Sequence, residues 1–466
     1  HKMSQFGPCL TVADVNNDGL EDFYVGGAMG QAGALFMQTN EKRFQRRSME
    51  SFEADKYHED TGALFLDADG DGDQDLYMVS GGNEKEVGNN FYQDRFYEND
   101  GQGNFKRNHG AIPKILISGQ VVKSLDYDKD GDLDLFVGSR LMPRKYGYPS
   151  KSLLLQNVSK EGKVRFEDVT DEVFPDMKNL GMVTDAIVVD LDGDQIEELI
   201  VAQEWGSIKA FNYKDNKFND ISEQWGLQNN VGWWFSLAAD DIDLDGDMDL
   251  IAGNLGLNYK YKASKEAPFH LYLNDFDQNN SNDIVLGYHE GEQLYPLRGR
   301  ECTSGQMPFV KKKFQTYEEF GRASLQEVYG ESLESARHIS ATNFANSILI
   351  NEDMERFSFA PLPNGAQISS INKILTFENK ENNHRDLLLF GNLYGSEVET
   401  PRNDASYGHF LTADGNGDYK SVSSRLTGLY VKGDVRGTSY IHLGKNRQKG
   451  ILLARNNETL LLYQTP

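Results

Sequence analysis

The sequence predicts an all-β chain, an eight-bladed β-propeller with a seven-bladed ring as the alternative if one hairpin is an extra. Three observations carry this. An acidic nonapeptide, Asp-x-Asp-x-Asp-Gly-x-x-Asp in its best copies, recurs along the chain. Each copy is flanked by short apolar, β-prone runs, and a hairpin with turn residues follows. Motif starts at Asp14, Asp67, Asp126, Asp190 and Asp241 lie 51–64 residues apart, a period that fits four short antiparallel strands per unit.

The acidic stretch 67–75, DADGDGDQD, is the clearest copy. Asp67, Asp69, Asp71 and Asp75 repel one another by roughly 1 kcal/mol per pair at about 4 Å in water. A cation among them relieves that repulsion. Oxygen ligands at alternate positions suit a hard ion, calcium before magnesium, with the carbonyl of Asp73 as a further ligand. The same register gives Asp14, Asn16, Asp18, Leu20 (carbonyl) and Asp22; Asp126, Asp128, Asp130, Asp132 and Asp134; and Asp241, Asp243, Asp245, Asp247 and Asp249. Two variants complete the set. Asp190, Asp192, Asp194, Ile196 and Glu198 carry Gln195 at the turn, and Asp275, Asp277, Asn279, Ser281 and Asp283 carry Asn280 there. Asparagine tolerates positive φ. The expected complement is five or six structural calcium ions.

An EF-hand shares the first half of this spacing but needs glutamate at position twelve and flanking helices. Here position twelve is Val25, Met78, Val137, Val201 or Ala252, inside runs such as DLYMVSGG and DLFVGS. Those runs are strands.

The outer hairpins fall near residues 35, 95, 152, 208, 268, 347, 409 and 460, which is the count behind eight blades. The last lacks a final strand, and closure of the ring is expected from residues upstream of His1, since an open edge invites aggregation. A degenerate loop with Glu378, Lys380, Asn382, His384 and Asp386 is expected to hold no metal, because an ammonium opposes a divalent ion. The final unit, with His442, Gly444, Asn446, Gln448 and Gly450 in register, has no ligand set. Residues 300–345 break the pattern. Phe314, Tyr317 and Phe320 have helical spacing and Ser324 with Glu327 forms a capping box, so a helical insertion in the sixth blade is expected within one propeller domain spanning 1–466.

The formal net charge of −25 argues against nucleic acid and against an anionic membrane surface. Six divalent ions would bring −25 to −13, so much of the acidity belongs to the loops. Cys9 and Cys302 make neither a disulfide scaffold nor a zinc site; they pair or stay free and buried. No apolar run approaches the roughly 18 residues a membrane helix needs. The start, HKMSQFG, lacks a signal peptide and enters a strand almost at once, which reads as a fragment or processed form whose upstream part is missing.

The stretch FYVGGAMGQAGALF at 23–36 resembles, without its proline, the cadence of the integrin α-type FG-GAP repeat, also called the VCBS repeat. NLGMVTDA, GWWFSLAADD, GNLGLNYKYKAS, LYLNDFDQNNSNDI and FGNLYGSEVETPRNDASYG are similar to the propeller half of bacterial proteins related to cartilage acidic protein. That resemblance covers nearly the whole chain and implies a calcium-stabilised propeller, exported to the cell surface, extracellular space or periplasm, with no defined catalytic activity. Gln195, Lys380 and the last unit depart from the pattern.

Loops on the face opposite the metal loops carry Arg140, Tyr146, Trp205, Trp233, Tyr259, Tyr394 and Arg402. Aromatic platforms beside polar groups suit sugars or peptide side chains. A non-catalytic glycan- or protein-binding module is therefore expected first. A polysaccharide lyase or hydrolase using Arg140, Lys145, Glu204 and Arg402 is one alternative, and a scaffold for an upstream domain is another. The nine histidines form no obvious pair in the sequence, and no nucleophile motif appears.

Overall fold

Short, largely apolar runs on either side of each acidic loop form paired strands, the second of each pair buried along most of its length, and the pairs assemble into eight antiparallel sheets. The computed structural model describes residues 3–379, 384–397, 399–413 and 418–464. In the first sheet Leu10–Ala13, Asp22–Val25, Ala34–Gln38 and Phe44–Arg47 pair in chain order. The second (Asp60–Leu66, Asp75–Ser80, Arg95–Glu98, Lys106–Arg107) and third (Ser118–Leu125, Asp134–Leu141, Leu153–Asn157, Phe166–Asp168) repeat this meander. So does the fourth, Met182–Val189, Glu198–Gly206, Lys209–Lys214 and Lys217–Asp220, with Gly232–Trp233 added beside its second strand.

The fifth sheet departs from chain order. Ser236–Asp240 and Asp249–Gly253 pair locally, but the third strand is Ser347–Glu352, followed by Arg356–Pro361. Residues 254–346 lie between and build a separate sheet from Phe269–Asn274, Asp283–Glu290, Gln293–Pro296 and Arg337–Ala341. The sixth sheet (Ile371–Asn379, His384–Gly391, His409–Ala413, Tyr419–Val422) is again a meander. The seventh has three strands among the described residues, Val435–Leu443, Gln448–Arg455 and Leu461–Gln464.

First strands of successive sheets pack against one another from the first to the seventh, and Val435–Leu443 meets Leu10–Ala13 to close the cycle. The inserted sheet is not in that cycle. Eight sheets are present, as many as the hairpins counted in the sequence, and seven of them lie in that cycle; the hairpin near 268 belongs to the inserted sheet, because Asp249–Gly253 finds its partner across it at Ser347–Glu352.

Core clusters are shared by neighbouring sheets. Tyr77, Val79 and Phe96 of the second pack on Leu135 and Val137 of the third. Phe23 of the first packs on Ile441, Leu443 and Leu452 of the seventh, the seam that closes the cycle. Short helices at Arg300–Gln306, Phe309–Lys313, Tyr317–Arg322 and Leu325–Tyr329 lie within the insertion, and Ser324 and Glu327 form the expected capping box. The anticipated stripe splits: Phe320 is buried, whereas Tyr317 faces solvent at 65% exposure. Cys9 and Cys302 are both free thiols, the first buried and the second partly so. Among the described residues no helix is long and apolar enough to cross a membrane.

Candidate functional site

Each acidic loop joins the first strand of a sheet to the second, and its own backbone organises the carboxylates. The first aspartate accepts from the turn: Gly19 N donates to Asp14 at 2.8 Å, Gly72 N to Asp67 at 3.0 Å, Gln195 N to Asp190 at 2.9 Å and Asn280 N to Asp275 at 2.8 Å. That geometry needs a left-handed residue at the turn. Gly72 has φ +89°, and Gln195 and Asn280 take φ +67° and +64° despite carrying side chains. The two variant loops thus keep the backbone of the glycine loops.

Five of the six loops bring three carboxylate oxygens within 4.8 Å of one another: Asp67/Asp69/Asp71, Asp126/Asp128/Asp134, Asp190/Asp192/Asp194, Asp241/Asp243/Asp249 and Asp275/Asp277/Asp283. The loop with Asn16 in place of the second carboxylate is not among them. Several carboxylate oxygens are buried without any hydrogen-bond partner: one each on Asp126, Asp128, Asp132, Asp134, Asp241, Asp247 and Asp277. A buried polar atom without a partner is costly, so oxygens turned inward in this way fit a bound cation. Burial also raises the closing carboxylates, Asp75 and Asp134 to about 8 and Asp22, Glu198 and Asp249 to about 7, with neighbouring aspartates adding to the rise. Of the degenerate loop, Lys380 and Asn382 lie outside the described residues. Asp386 is fully buried and accepts from Ala413 N at 3.1 Å and Asn379 Nδ2 at 2.8 Å.

A further group of residues was not evident from the motif. At the end of a third strand an amide side chain ties one loop to the loop of the preceding sheet. Asn99 donates its backbone N–H to Asp75 at 2.9 Å and its Nδ2 to the carbonyl of Val15 at 2.8 Å. Asn157 links Asp134 to Ala68, and Asn351 links Asp249 to Leu191, in the same way. Gln38 joins the first sheet to the carbonyl of His442 in the seventh at 3.0 Å. The recurrence of Asn 24 and 23 residues after the closing carboxylate in the second and third sheets was the available signal.

Second strands run from the acidic loops to the opposite end of the sheets. There Tyr146, Trp205, Trp233 and Tyr261 surround a cavity of about 560 Å³, with Ile284, Leu286 and Arg298 of the insertion and Glu397 completing the wall. Trp205 sits at φ +60°, beside a register break between Glu204 and Gly206. A large residue in that conformation is strained, and such strain gathers at functional sites. Trp205 Nε1 donates to the Tyr146 hydroxyl at 2.7 Å, and that hydroxyl donates to Glu204. Phe269 stacks between Trp205 and Tyr261, with ring centroids 5.7 and 4.7 Å away. Tyr261 donates to Glu397 at 2.7 Å, and Arg298 Nη2 donates to the same carboxylate at 2.9 Å. Burial opposes ionisation of Glu397, but the Tyr261 and Arg298 contacts outweigh it and hold the group below its usual range.

The cavity gathers three of the seven residues expected at a ligand site, Tyr146, Trp205 and Trp233. Tyr259 stands behind it, edge-on to Tyr261 at 5.1 Å. Arg140 is buried in an ion pair with Glu204 and lies over the Phe6 ring at 4.7 Å, so it supports the wall from beneath. Tyr394 and Arg402 stack on each other at 4.1 Å and do not line the cavity. Arg298 and Glu397 were missed; they come from segments distant in sequence and converge only in the fold.

A family model described as FG-GAP-like repeat matches residues 14–78, 67–137 and 190–252. Each match runs from one acidic loop through the next, and the inserted loop at Asp275 lies outside them. No curated protein matches the chain. Among solved structures, YCF48 from Cyanidioschyzon merolae is 10% identical and aligns over 99% of this chain and 96% of its own, with a TM-score of 0.45. Saccharomyces cerevisiae Sqt1 is 13% identical over 100% and 97%, with a TM-score of 0.44. The V. cholerae biofilm matrix protein Bap1 is 10% identical over 99% and 88%, with a TM-score of 0.34. These values are too low to bear on function. Through residues 14–137 and 190–252, the chain is built of FG-GAP-like repeats.

Proposed function

We propose that the chain is an exported, calcium-stabilised binding module, a seven-bladed propeller that takes a glycan in the aromatic cavity opposite the acidic loops of its ring. The observation that carries the reading is the cavity itself: aromatic walls from Tyr146, Trp205, Trp233 and Tyr261 enclose a polar pair, Arg298 and Glu397. Apolar walls with a few oriented polar groups are what a sugar ring needs, CH faces against the aromatics and hydroxyls on the carboxylate and guanidinium. Arg298 Nε is buried without a hydrogen-bond partner, a spare donor at that wall. Calcium in the loops supports the rigid face on which the cavity is built, and millimolar calcium is met outside the cytoplasm. Catalysis is disfavoured by the placement of the groups it would need. Arg140 is paired with Glu204 and Arg402 with Asp404 at 2.9 Å, and neither Lys145 nor Arg402 lines the cavity.

The test is a screen of neutral and acidic oligosaccharides against the calcium-loaded chain, followed by tryptophan fluorescence and by ultraviolet detection of unsaturated uronides. The expected result is saturable binding that Arg298→Gln and Tyr261→Phe each weaken, with no product. Release of unsaturated product, or binding untouched by both substitutions, overturns the reading.

A further inference from the structure

The inserted sheet brings together three histidines that the sequence left apart. His270 lies on Phe269–Asn274, His289 on Asp283–Glu290 and His338 on Arg337–Ala341. Strand alternation sends Leu271 and Leu273 inward to the aromatic core, and puts His270 on the other face with Tyr272. Register aligns His338 opposite Tyr272 and Gly287 opposite His270, so His338 and His289 share that face. The imidazoles touch. His270 Nε2 is 3.0 Å from His289 Nε2, and His270 Nδ1 is 2.8 Å from His338 Nε2. Tyr272 stacks on His338 with centroids 4.3 Å apart, which holds the outer ring in place.

We propose that this cluster is a transition-metal site, for zinc or copper(II), with His270 Nε2 and His289 Nε2 as ligands and His338 as the group that orients His270. Imidazole nitrogens bind zinc at roughly 2.0–2.1 Å, so two of them on one ion stand roughly 3 Å apart. The His270–His289 separation already has that value, and the rings need only turn their lone pairs to a common point. In the tautomer a metal bound at Nε2 requires, His270 carries its proton on Nδ1 and donates it to His338 Nε2; a hydrogen bond to the far nitrogen of a ligating histidine is the usual way its tautomer is set. Imidazole donors suit zinc or copper and carboxylate oxygens suit calcium, so this site and the oxygen-rich loops select different ions.

The experiment titrates zinc, and separately copper(II), into the full chain held in saturating calcium, by calorimetry and by NMR of the imidazole nitrogens. The expected result is one equivalent bound, with shifts at His270 and His289. His289→Ala removes that equivalent, and His338→Ala weakens it by about 10-fold or more. Should His289→Ala misfold by circular dichroism, His270→Gln and the wild-type NMR shifts decide the matter. Absence of binding in calcium, unchanged binding in the ligand variants, or histidine resonances that do not move would each overturn the proposal.

Discussion

Asn157 donates its backbone N–H to Asp134 Oδ1 at 2.7 Å, while its side-chain Nδ2 donates to the carbonyl of Ala68 at 2.9 Å. One residue therefore positions the closing carboxylate of its own acidic loop and grips the loop of the sheet before it. Asn157→Ala keeps the backbone bond and leaves a buried carbonyl unpaired, at a cost of about 1–3 kcal/mol. Urea unfolding should show that loss with calcium and with chelator alike, because the side-chain bond needs no ion. A neutral result would remove the amide from the list of inter-sheet ties.

On the proposed calcium reading of the acidic loops, the pH dependence should change sign with the ion. Without the ion, the folded values of Asp75 and Asp134 near 8, and of Asp22 and Asp249 near 7, lie above those of the unfolded chain. A raised carboxylate favours the folded state at low pH and loses that contribution as pH climbs through its folded value. In chelator, the melting temperature should therefore rise as pH falls from about 8 toward 6. In calcium it should fall over the same window, since protons compete for the ligand oxygens. Parallel slopes in the two series would contradict the assignment of these groups to cation sites.

Gln195 holds a left-handed turn at φ +67° with its side chain in solvent. Glycine reaches that conformation without the roughly 1–2 kcal/mol steric cost other residues bear, offset in part by its greater unfolded-state freedom. Gln195→Gly should stabilise the chain by up to about 1 kcal/mol in thermal melts. Destabilisation would mean that the side chain has a role in the loop.

Arg140 and Glu204 sit beneath the cavity with side chains 2% and 0% exposed. Removing one partner strands a buried charge, so Arg140→Met should cost about 3–5 kcal/mol. The double variant with Glu204→Gln should recover part of that loss. Urea midpoints of the two singles and the double measure the coupling; additive losses would show that the pair is not linked.

Legibility followed sequence distance. The six acidic loops were readable because nine consecutive residues hold every expected ligand, and the structure keeps one backbone through Gly72, Gln195 and Asn280. The helical part of the insertion was readable at 300–345, but its sheet was not, because Asp249–Gly253 pairs with Ser347–Glu352 across that whole sheet, and nothing local at 268 marks its hairpin as an outsider. At the cavity, Trp205 and Trp233 were visible as loop aromatics. Arg298 and Glu397 were not, since their 2.9 Å contact joins two distant segments. Arg140, expected at the ligand site, is instead buried, enclosed by Glu204 and the Phe6 ring.

The central claim is that divalent ions in the acidic loops hold the sheets together. Calorimetry of chelated protein titrated with calcium, followed by thermal scans of the filled and stripped forms, tests it most directly. Each site filled at about one hundred times its Kd adds about 2.7 kcal/mol, so five or six sites should lift the melting temperature by more than about ten degrees. Calcium that binds without heat or stoichiometry, and leaves the melting temperature where chelator put it, would contradict the account.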